Sequence, residues 1–389
     1  MRALLVNERQ RLLAVLDYKP YDHLPVVHFG FWRAVLQTWA SQGHLSEHEA
    51  THWSDGNAVD ASIGAKLGFD YNYYSCFHSN TGLYPGFEKK VVATFPDGTQ
   101  HVQQPNGCIV LQRPDAIGIP AEVDHIFKGR KEWDELFRER LQFNMDRVNR
   151  GFVRANDKMV RFDQGGLDFL KKDDRTYPYG LHCGSLYGQI RGFMGLENAC
   201  YLMFDDEPLM DEIINTVAEL SYQSTKAVLA SGAKFDFAHF WEDICFKNGP
   251  LISPAVFDAK VGPHYKRITS LVNSYGIKIV SLDCDGVIDS LAATWLNNGV
   301  NTMFPIEVGT WGGSIEPLRA KLGKELRGVG GMNKHVFGHD RAAVDAEIER
   351  LKPLVELGGF LPCPDHRIPP EAKWDNIRYY CDQMHKIFS

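Results

Sequence analysis

The sequence lacks the features of a membrane, secreted or nucleic-acid-binding protein. No apolar run reaches the ~18 residues that a transmembrane helix needs, and charges interrupt the N-terminal stretch MRALLVNERQRLLAVLDYKP where a signal peptide would be apolar. No basic tract occurs, and a formal net charge of −7 disfavours a polyanionic partner. We therefore expect a cytoplasmic protein that binds neither nucleic acid nor membrane.

Two local motifs are also missing. No CxxC pair is present, which argues against a zinc finger. The 8 cysteines are spread over 389 residues rather than clustered in a short chain, so we expect reduced thiols rather than a disulfide framework. The GxGxxG motif of dinucleotide-binding folds is absent as well.

What the sequence does contain is a repeated alternation of short apolar runs with longer helical patterns. Such alternation indicates parallel strands in βα units. Eight runs fit a (β/α)8 TIM barrel, and a doubly wound sheet is the main alternative. The predicted strand segments are 24–30, 68–76, 177–185, 235–243, 277–286, 300–309, 326–334 and 360–366.

One long stretch interrupts this rhythm, at about 85–175. Residues 89–113 alternate with period two around Asp97-Gly98, which is a strong β-hairpin signal. Helical material follows at 132–150. We interpret 1–389 as a single barrel domain whose hairpin-plus-helix insertion caps the C-terminal mouth.

Polar and ionisable residues collect at the ends of the predicted strands, where barrel enzymes place their active sites. A catalytic zinc uses three protein ligands and an open position. Glu242, Cys284 and Cys363 lie on three different strand ends and would form such a set, with Asp283 and Asp285 as rival ligands. Each of these residues could instead have a purely structural role. A cysteine beside a strand is often a small buried core residue, Asp285 can cap a helix, and His239 can belong to the core.

Prolines surround Cys363, Asp365 and His366 in the segment GGFLPCPDHRIPP, residues 358–370. Proline stiffens the backbone and removes hydrogen-bond donors. The segment is therefore either a rigid turn or a mount for these three side chains.

Several stretches together resemble the uroporphyrinogen decarboxylase superfamily over most of the chain outside the insertion. They are RLLAVLDYKPYDHLPVVHFG, YGLHCGSLYGQIRGFMGLENACYLMFDDEPLMDEII, HFWEDICFKNGPLISPAVFDAKVGPHYKRI, GVNTMFPIEV, GGMNK and GGFLPCPDHRIPP. The resemblance implies a (β/α)8 fold and includes a branch of zinc-dependent, corrinoid-linked methyltransferases.

Two departures favour the methyltransferase branch over the true decarboxylases. The arginine pair expected after the first strand is reduced to Arg33 in VVHFGFWRAV, and DYNYYSC ends without an acid. The methyltransferase branch has His-x-Cys near the fifth strand and a distant Cys in the last strand. Here Asp283 stands at the His position, with Cys284 or Asp285 and Cys363 approximately keeping the spacing.

The sequence thus predicts a zinc-dependent methyltransferase that acts with a corrinoid, free or on a partner protein, on a small methyl ether or another methyl donor. The resemblance also implies a homodimer, the usual oligomeric state in this family. A decarboxylase of a small or tetrapyrrole-like carboxylate is the alternative, and a scaffold built on a decayed barrel is a third reading. The residues assigned are, as catalytic groups, His239, Asp283, Asp285 and His366; as substrate contacts, His28, Trp32, Tyr74, His182, Trp241, Glu307 and Asn333; and as metal ligands, Glu242, Cys284 and Cys363.

Overall fold

A parallel β-sheet with helical crossovers forms the framework of the computed structural model, which describes residues 6–113, 120–156 and 158–389. The first five residues of the N-terminal stretch considered above lie outside this range. The strands are β1 (Val27–His28), β2 (Tyr71–Asn72), β3 (Cys76–His78), β4 (Lys90–Thr94), β5 (Gln100–Gln103), β6 (Cys108–Gln112), β7 (Ala121–His125), β8 (Phe152–Ala155), β9 (Lys158–Arg161), β10 (Gly180–His182), β11 (Phe237–Trp241), β12 (Cys245–Phe246), β13 (Gly249–Pro250), β14 (Val280–Asp283), β15 (Thr302–Ile306), β16 (Arg327–Met332) and β17 (Phe360–Pro364).

Helices follow most of the sheet strands. They are α1 (Glu8–Leu16), α2 (Arg33–Ser41), α3 (Glu47–His52), α4 (Ala58–Leu67), α5 (Arg130–Glu132), α6 (Asp146–Asn149), α7 (Gly166–Lys172), α8 (Tyr187–Met194), α9 (Leu196–Asp205), α10 (Glu207–Ala230), α11 (Pro254–Lys260), α12 (Gly262–Ser274), α13 (Ala292–Asn297), α14 (Ile315–Leu322), α15 (Arg341–Glu356) and α16 (Trp374–Ile387). Within the described residues, each helix is too short or too polar to span a bilayer.

Seven strands make one parallel sheet in the order β17-β16-β15-β14-β11-β10-β3. Parallel neighbours need a crossover between them; α10 provides one between β10 and β11, and the Asp206 side chain caps its N-terminus by accepting from Leu209 N. The register sets His239 beside Ser281 and Trp241 beside Asp283. Neighbouring strands therefore end together at one edge.

Strand β1 lies outside this sheet, in a two-stranded pairing near its edge strands β3 and β17. It pairs in parallel with β2, three residues before β3. Beyond β1, Phe31 bridges Ile368, which follows β17, and Ile368 N donates to Gly30 O at 3.0 Å.

Aromatic rings from strands that are not neighbours meet in a common interior. The Tyr73 ring stacks on Phe237 with centroids 5.2 Å apart and lies 5.0 Å from Phe304. Phe29, next to β1, contacts Phe304 edge-on at 4.6 Å. These residues are almost fully buried, so their rings fill the space between these strands.

The insertion between β3 and β10 has its own antiparallel sheet, β4-β5-β6-β7. Asp97 and Gly98 form the turn of the first hairpin, where the Asp97 side chain accepts from Thr99 N at 3.0 Å. The segment 132–150, predicted as helical, is helical in short pieces: a π-helical stretch, Trp133–Phe137, a 3-10 helix, Arg138–Leu141, and α6. The buried Arg147 guanidinium holds this segment by donating to four backbone carbonyls, those of Gln142, Asn80 and Gly82 at 2.7–2.9 Å and that of Arg140.

Candidate active site at the carboxyl edge of the sheet

Three aspartates converge where β11 and β14 end. Asp283 is the last residue of β14, Asp285 follows two residues later, and Asp243 lies two residues beyond β11. One carboxylate oxygen from each lies within 4.8 Å of the other two. Asp243 has a left-handed backbone, with φ 49°, which is uncommon for a residue other than glycine and occurs preferentially at functional sites.

In this acidic cluster of Asp243, Asp283 and Asp285, burial and mutual repulsion raise the pKa values of Asp243 and Asp283. Burial, followed by the charges of Asp285 and Asp243, holds the pKa of Asp283 well above its ordinary value. Burial, followed by Asp285, raises the pKa of Asp243 to about 6 and that of Glu307 to about 7. Asp285 Oδ1 is buried without a hydrogen-bond partner among the described residues. A cation would relieve this concentration of negative charge.

Three of the other predicted site residues join the acidic cluster. His366 Nε2 lies 3.2 Å from Asp285 Oδ2. The Trp32 ring stacks on His366 with centroids 5.6 Å apart. Glu307 accepts from Gly286 N at 2.8 Å, so its carboxylate is held beside the loop that carries Asp285.

A wall of imidazole and aromatic rings continues from the cluster toward the insertion. His239 Nδ1 is 2.6 Å from Ser281 Oγ, its buried Nε2 has no hydrogen-bond partner in the described structure, and burial lowers its pKa to about 3. The Tyr74 ring meets His239 edge-on at 5.1 Å. Tyr74, His182 and Trp241 line a cavity of about 410 Å³ that reaches Asn106 of the insertion.

A larger hollow of about 770 Å³ lies at the opposite, amino edge of the sheet. Tyr18, Lys324 and Gly358 are among its lining residues. It is remote from the converging strand ends, so the smaller cavity beside the acidic cluster is the candidate site.

Glu242 does not belong to the acidic cluster, which corrects its prediction as a metal ligand. Its fully buried carboxylate accepts from the amides of Leu186, Tyr187 and Gly188, and from the Tyr265 hydroxyl. These amides form the N-terminus of α8, where a carboxylate is stabilised by unpaired N–H groups and by the helix dipole. Glu242 is therefore held by α8 and Tyr265 rather than by the acidic cluster.

The two predicted thiolate ligands are also placed elsewhere. Cys284 Sγ accepts from Ile244 N at 3.4 Å, and burial followed by contact with Cys245 raises its thiol pKa well above the ordinary value. Cys363 is fully buried, and burial followed by the charge of Asp365 raises its pKa strongly. Within the described residues, Glu242, Cys284 and Cys363 do not form a common ligand set, so the predicted trio is wrong as a metal site.

The proline-rich segment 358–370 holds Asp365 and His366 in fixed positions, but it does not present a thiolate ligand. The buried Asp365 carboxylate accepts from Val308 N at 2.8 Å, Gly309 N at 2.6 Å and Lys334 N at 3.1 Å. It thereby joins the ends of β15, β16 and β17. The next residue, His366, is aimed at Asp285 by this anchoring.

Of the remaining residues predicted to contact the substrate, one lines the cavity and two have structural roles. His182 lines the cavity and stacks on His78 with centroids 4.3 Å apart. Asn333 instead caps the turn after β16, where its Oδ1 accepts from His335 N at 3.1 Å. His28 is buried against Phe31 and Phe69, with its Nδ1 accepting from Gly30 N. Asn333 and His28 are therefore corrected from substrate contacts to scaffold residues.

The buried imidazole of His28 leads to a prediction on pH-dependent stability. Burial lowers its pKa to about 3 from the ordinary 6.5. Its contribution to stability is fully present above pH 6.5 and is lost as the pH falls toward the folded-state value, because the unfolded chain takes up the proton first. We expect His28→Asn to reduce the loss of unfolding free energy between pH 7 and pH 5 by about 2 kcal/mol.

Urea titrations at both pH values would measure this difference. The matched control is His48→Asn, because His48 is exposed on α3, and it should leave the pH dependence unchanged. An equal loss in wild type and His28→Asn would contradict the assignment of His28 as a neutral core group.

Asp243 is the site residue that was not selected from the sequence. A signal for it exists in the chain, because side chains alternate between the two faces of a strand. Trp241 and Asp243 therefore share one face, and Glu242 has the other.

Comparisons with known proteins give a fold but no family. No protein-family model matches the sequence, and no curated protein is significantly similar to it. A solved methyltransferase from Methanosarcina mazei superposes with a TM-score of 0.60 at 15% identity, covering 99% of this chain and 100% of the other. The chain shares its fold with a methyltransferase. A putative vitamin-B12-independent methionine synthase from Listeria monocytogenes, at 12% identity over 95% of this chain and 98% of the other, has a TM-score of 0.41, which is too low to support an argument.

Proposed function

We propose that the chain is a methyltransferase whose parallel strands close into a (β/α)8 barrel. Closure is supported by the pairing of β1 with β2, and by Phe31, just beyond β1, which bridges Ile368, four residues after β17. It is supported too by the rings of Tyr73, Phe237 and Phe304, which meet from strands that are not adjacent. The mouth of the barrel is then the edge at which the acidic cluster lies.

The acidic cluster is the observation that carries the proposal. Carboxylate oxygens suit hard divalent cations, and the unpartnered Asp285 Oδ1 leaves a donor available for one. A zinc ion held by thiolates does not fit, because Cys284 and Cys363 are placed elsewhere. We therefore assign the cation to Asp243, Asp283 and Asp285. When bound, a divalent cation would supply Lewis acidity toward an oxygen of the methyl donor.

The residues around the cluster have complementary roles. His366 is hydrogen-bonded to Asp285 and so orients that carboxylate, while Trp32 keeps the imidazole plane fixed by stacking. His239 is fully buried against Tyr74 and His182 and supports the rings that line the cavity. Tyr74 and Trp241 give the cavity apolar walls, and its volume of about 410 Å³ suits a small molecule.

The methyl acceptor in this proposal is a corrinoid, free or carried by a partner protein. Its support is the resemblance of the sequence to the corrinoid-linked branch of the uroporphyrinogen decarboxylase superfamily. A partner that delivers the corrinoid would dock at the mouth, beside the insertion.

Decarboxylation of a polycarboxylate is disfavoured by the charges at the mouth. Such a substrate needs cations to pair with its carboxylates. Arg367 is already bound to both oxygens of Asp55, at 2.9 and 2.7 Å, and Lys334 Nζ lies 3.3 Å from Asp365. The nearby carboxylates would also repel a polyanion.

The proposal predicts transfer of a methyl group to cob(I)alamin. The purified chain is incubated with cob(I)alamin, Mg²⁺ or Mn²⁺, and a panel of methoxyarenes, methylamines and thioethers, and formation of methylcobalamin is followed by absorption. We expect turnover with at least one donor, and its loss after chelation of the cation. Decarboxylation of uroporphyrinogen, together with no methyl transfer across the panel, would contradict the proposal.

A further inference from the structure

A second group of potential ligands lies in the insertion sheet, on β6 and β7. Cys108 begins β6 and is paired in register with His125, which ends β7, while Glu122 is three residues before His125. One donor atom from each of these three side chains lies within 4.8 Å of the other two. His125 Nε2 and Glu122 Oε2 are 3.7 Å apart.

The imidazole of this group is buried and lacks a partner. His125 is only 9% exposed, and its Nε2 has no hydrogen-bond partner among the described residues. An unpaired buried polar atom carries a free-energy cost that a ligand would remove. Cys108, on the neighbouring strand, is buried as well.

The neighbouring backbone is shaped around this imidazole. Gly195, between α8 and α9, has φ +82°, and a Cβ atom there would come within 2.6 Å of His125 Cε1 and 2.7 Å of Nδ1. A side chain at position 195 would therefore displace the ring. The His125 ring forms the contact between the insertion sheet and the corner of α8 and α9.

We propose that Cys108, Glu122 and His125 bind a zinc ion. Thiolate, imidazole and carboxylate are the ligands that zinc takes in proteins, and the thiolate favours zinc over magnesium or calcium. Zn–N and Zn–O bonds of about 2.0–2.2 Å in a tetrahedron place these two atoms about 3.3–3.5 Å apart, so the 3.7 Å separation of His125 Nε2 and Glu122 Oε2 needs only a small closure. The fourth position is left for water.

This zinc would fasten the insertion sheet beside the cavity. Asn106, two residues before Cys108, donates to Gly192 O of α8 at 3.0 Å, and both residues line the cavity. The site is independent of the methyl-transfer proposal, because it shares no residue with the acidic cluster.

Zinc content of the full chain, measured by elemental analysis after dialysis against a zinc buffer, tests the proposal. We expect Cys108→Ser and His125→Gln each to lose about one zinc ion per chain relative to wild type. Cys200→Ser, which removes an exposed thiol on α9, and Asp283→Asn, which alters the mouth, should keep that ion. Wild-type zinc content in both Cys108→Ser and His125→Gln would overturn the site.

Cobalt substitution of the wild-type chain gives a readout that does not depend on the folding of variants. We expect a near-ultraviolet thiolate-to-cobalt absorption band, which is lost in Cys108→Ser and kept in Cys200→Ser. A wild-type cobalt spectrum without that band would also overturn the proposal.

Discussion

Replacing Glu242 with alanine is expected to lower the free energy of unfolding by about 3–5 kcal/mol, because several buried donors lose their acceptor and each costs about 1–3 kcal/mol. The fully buried carboxylate accepts hydrogen bonds from three backbone amides at the start of α8 and from the Tyr265 hydroxyl. The variant would leave these donors buried without an acceptor, and each unpaired donor is costly. Urea unfolding of wild type and Glu242→Ala measures the difference.

A matched control is available in the first turn of another helix. Glu316 lies in the first turn of α14 but is exposed, so Glu316→Ala should change the unfolding free energy by no more than about 0.5 kcal/mol. If Glu242→Ala kept wild-type stability and lost a bound metal ion instead, Glu242 would be a ligand as the sequence first suggested.

Replacing Asp283 with asparagine is expected to reduce the rate of methyl transfer at least about 100-fold. Loss of a residue that only supports a metal ligand costs 10–100-fold, and Asp283 is assigned as a ligand itself. Asparagine has nearly the same shape, and it removes a buried negative charge that Asp243 and Asp285 repel. Thermal stability should therefore be unchanged or higher, as is common when an active-site charge is removed.

Initial rates and melting temperatures of the same preparations test both parts of this prediction. Asp289→Asn is the control, because Asp289 is exposed and only a few residues further along the chain. A rate near wild type for Asp283→Asn would remove this carboxylate from the mechanism.

The sequence was sufficient to locate the strands of the sheet. Strands buried on both faces read as continuous apolar runs, and each of the predicted runs contains a strand of the parallel framework. Because parallel strands end at one edge, Asp283, Asp285, Glu307 and His366 could be expected to lie near one another. The structure brings these four together.

The sequence could not predict which side chain at the end of a strand faces the mouth. Neighbouring residues point to opposite faces, so Glu242 and Asp243 compete for one position, as do Cys284 and its two acidic neighbours. The choice depends on register with β14 and on the amides of α8, which are tertiary contacts. In each case the aspartate is turned into the mouth, and the glutamate or thiol is turned away.

The Cys108, Glu122 and His125 group was missed for a related reason. Its spacing along the chain has no recognisable motif, because the group depends on the antiparallel register between β6 and β7. The period-two pattern predicted a hairpin at 89–113, but it carried no information on the strand that follows.

Manganese binding to the mouth is the most direct test of the central claim that Asp243, Asp283 and Asp285 hold a divalent cation. Mn²⁺ is titrated into the Cys108→Ser chain, which lacks the proposed zinc site, and free Mn²⁺ is followed by electron paramagnetic resonance. We predict about one tightly bound Mn²⁺ per chain, and its loss when Asp283→Asn is added. Equal Mn²⁺ binding by the two proteins would contradict the account.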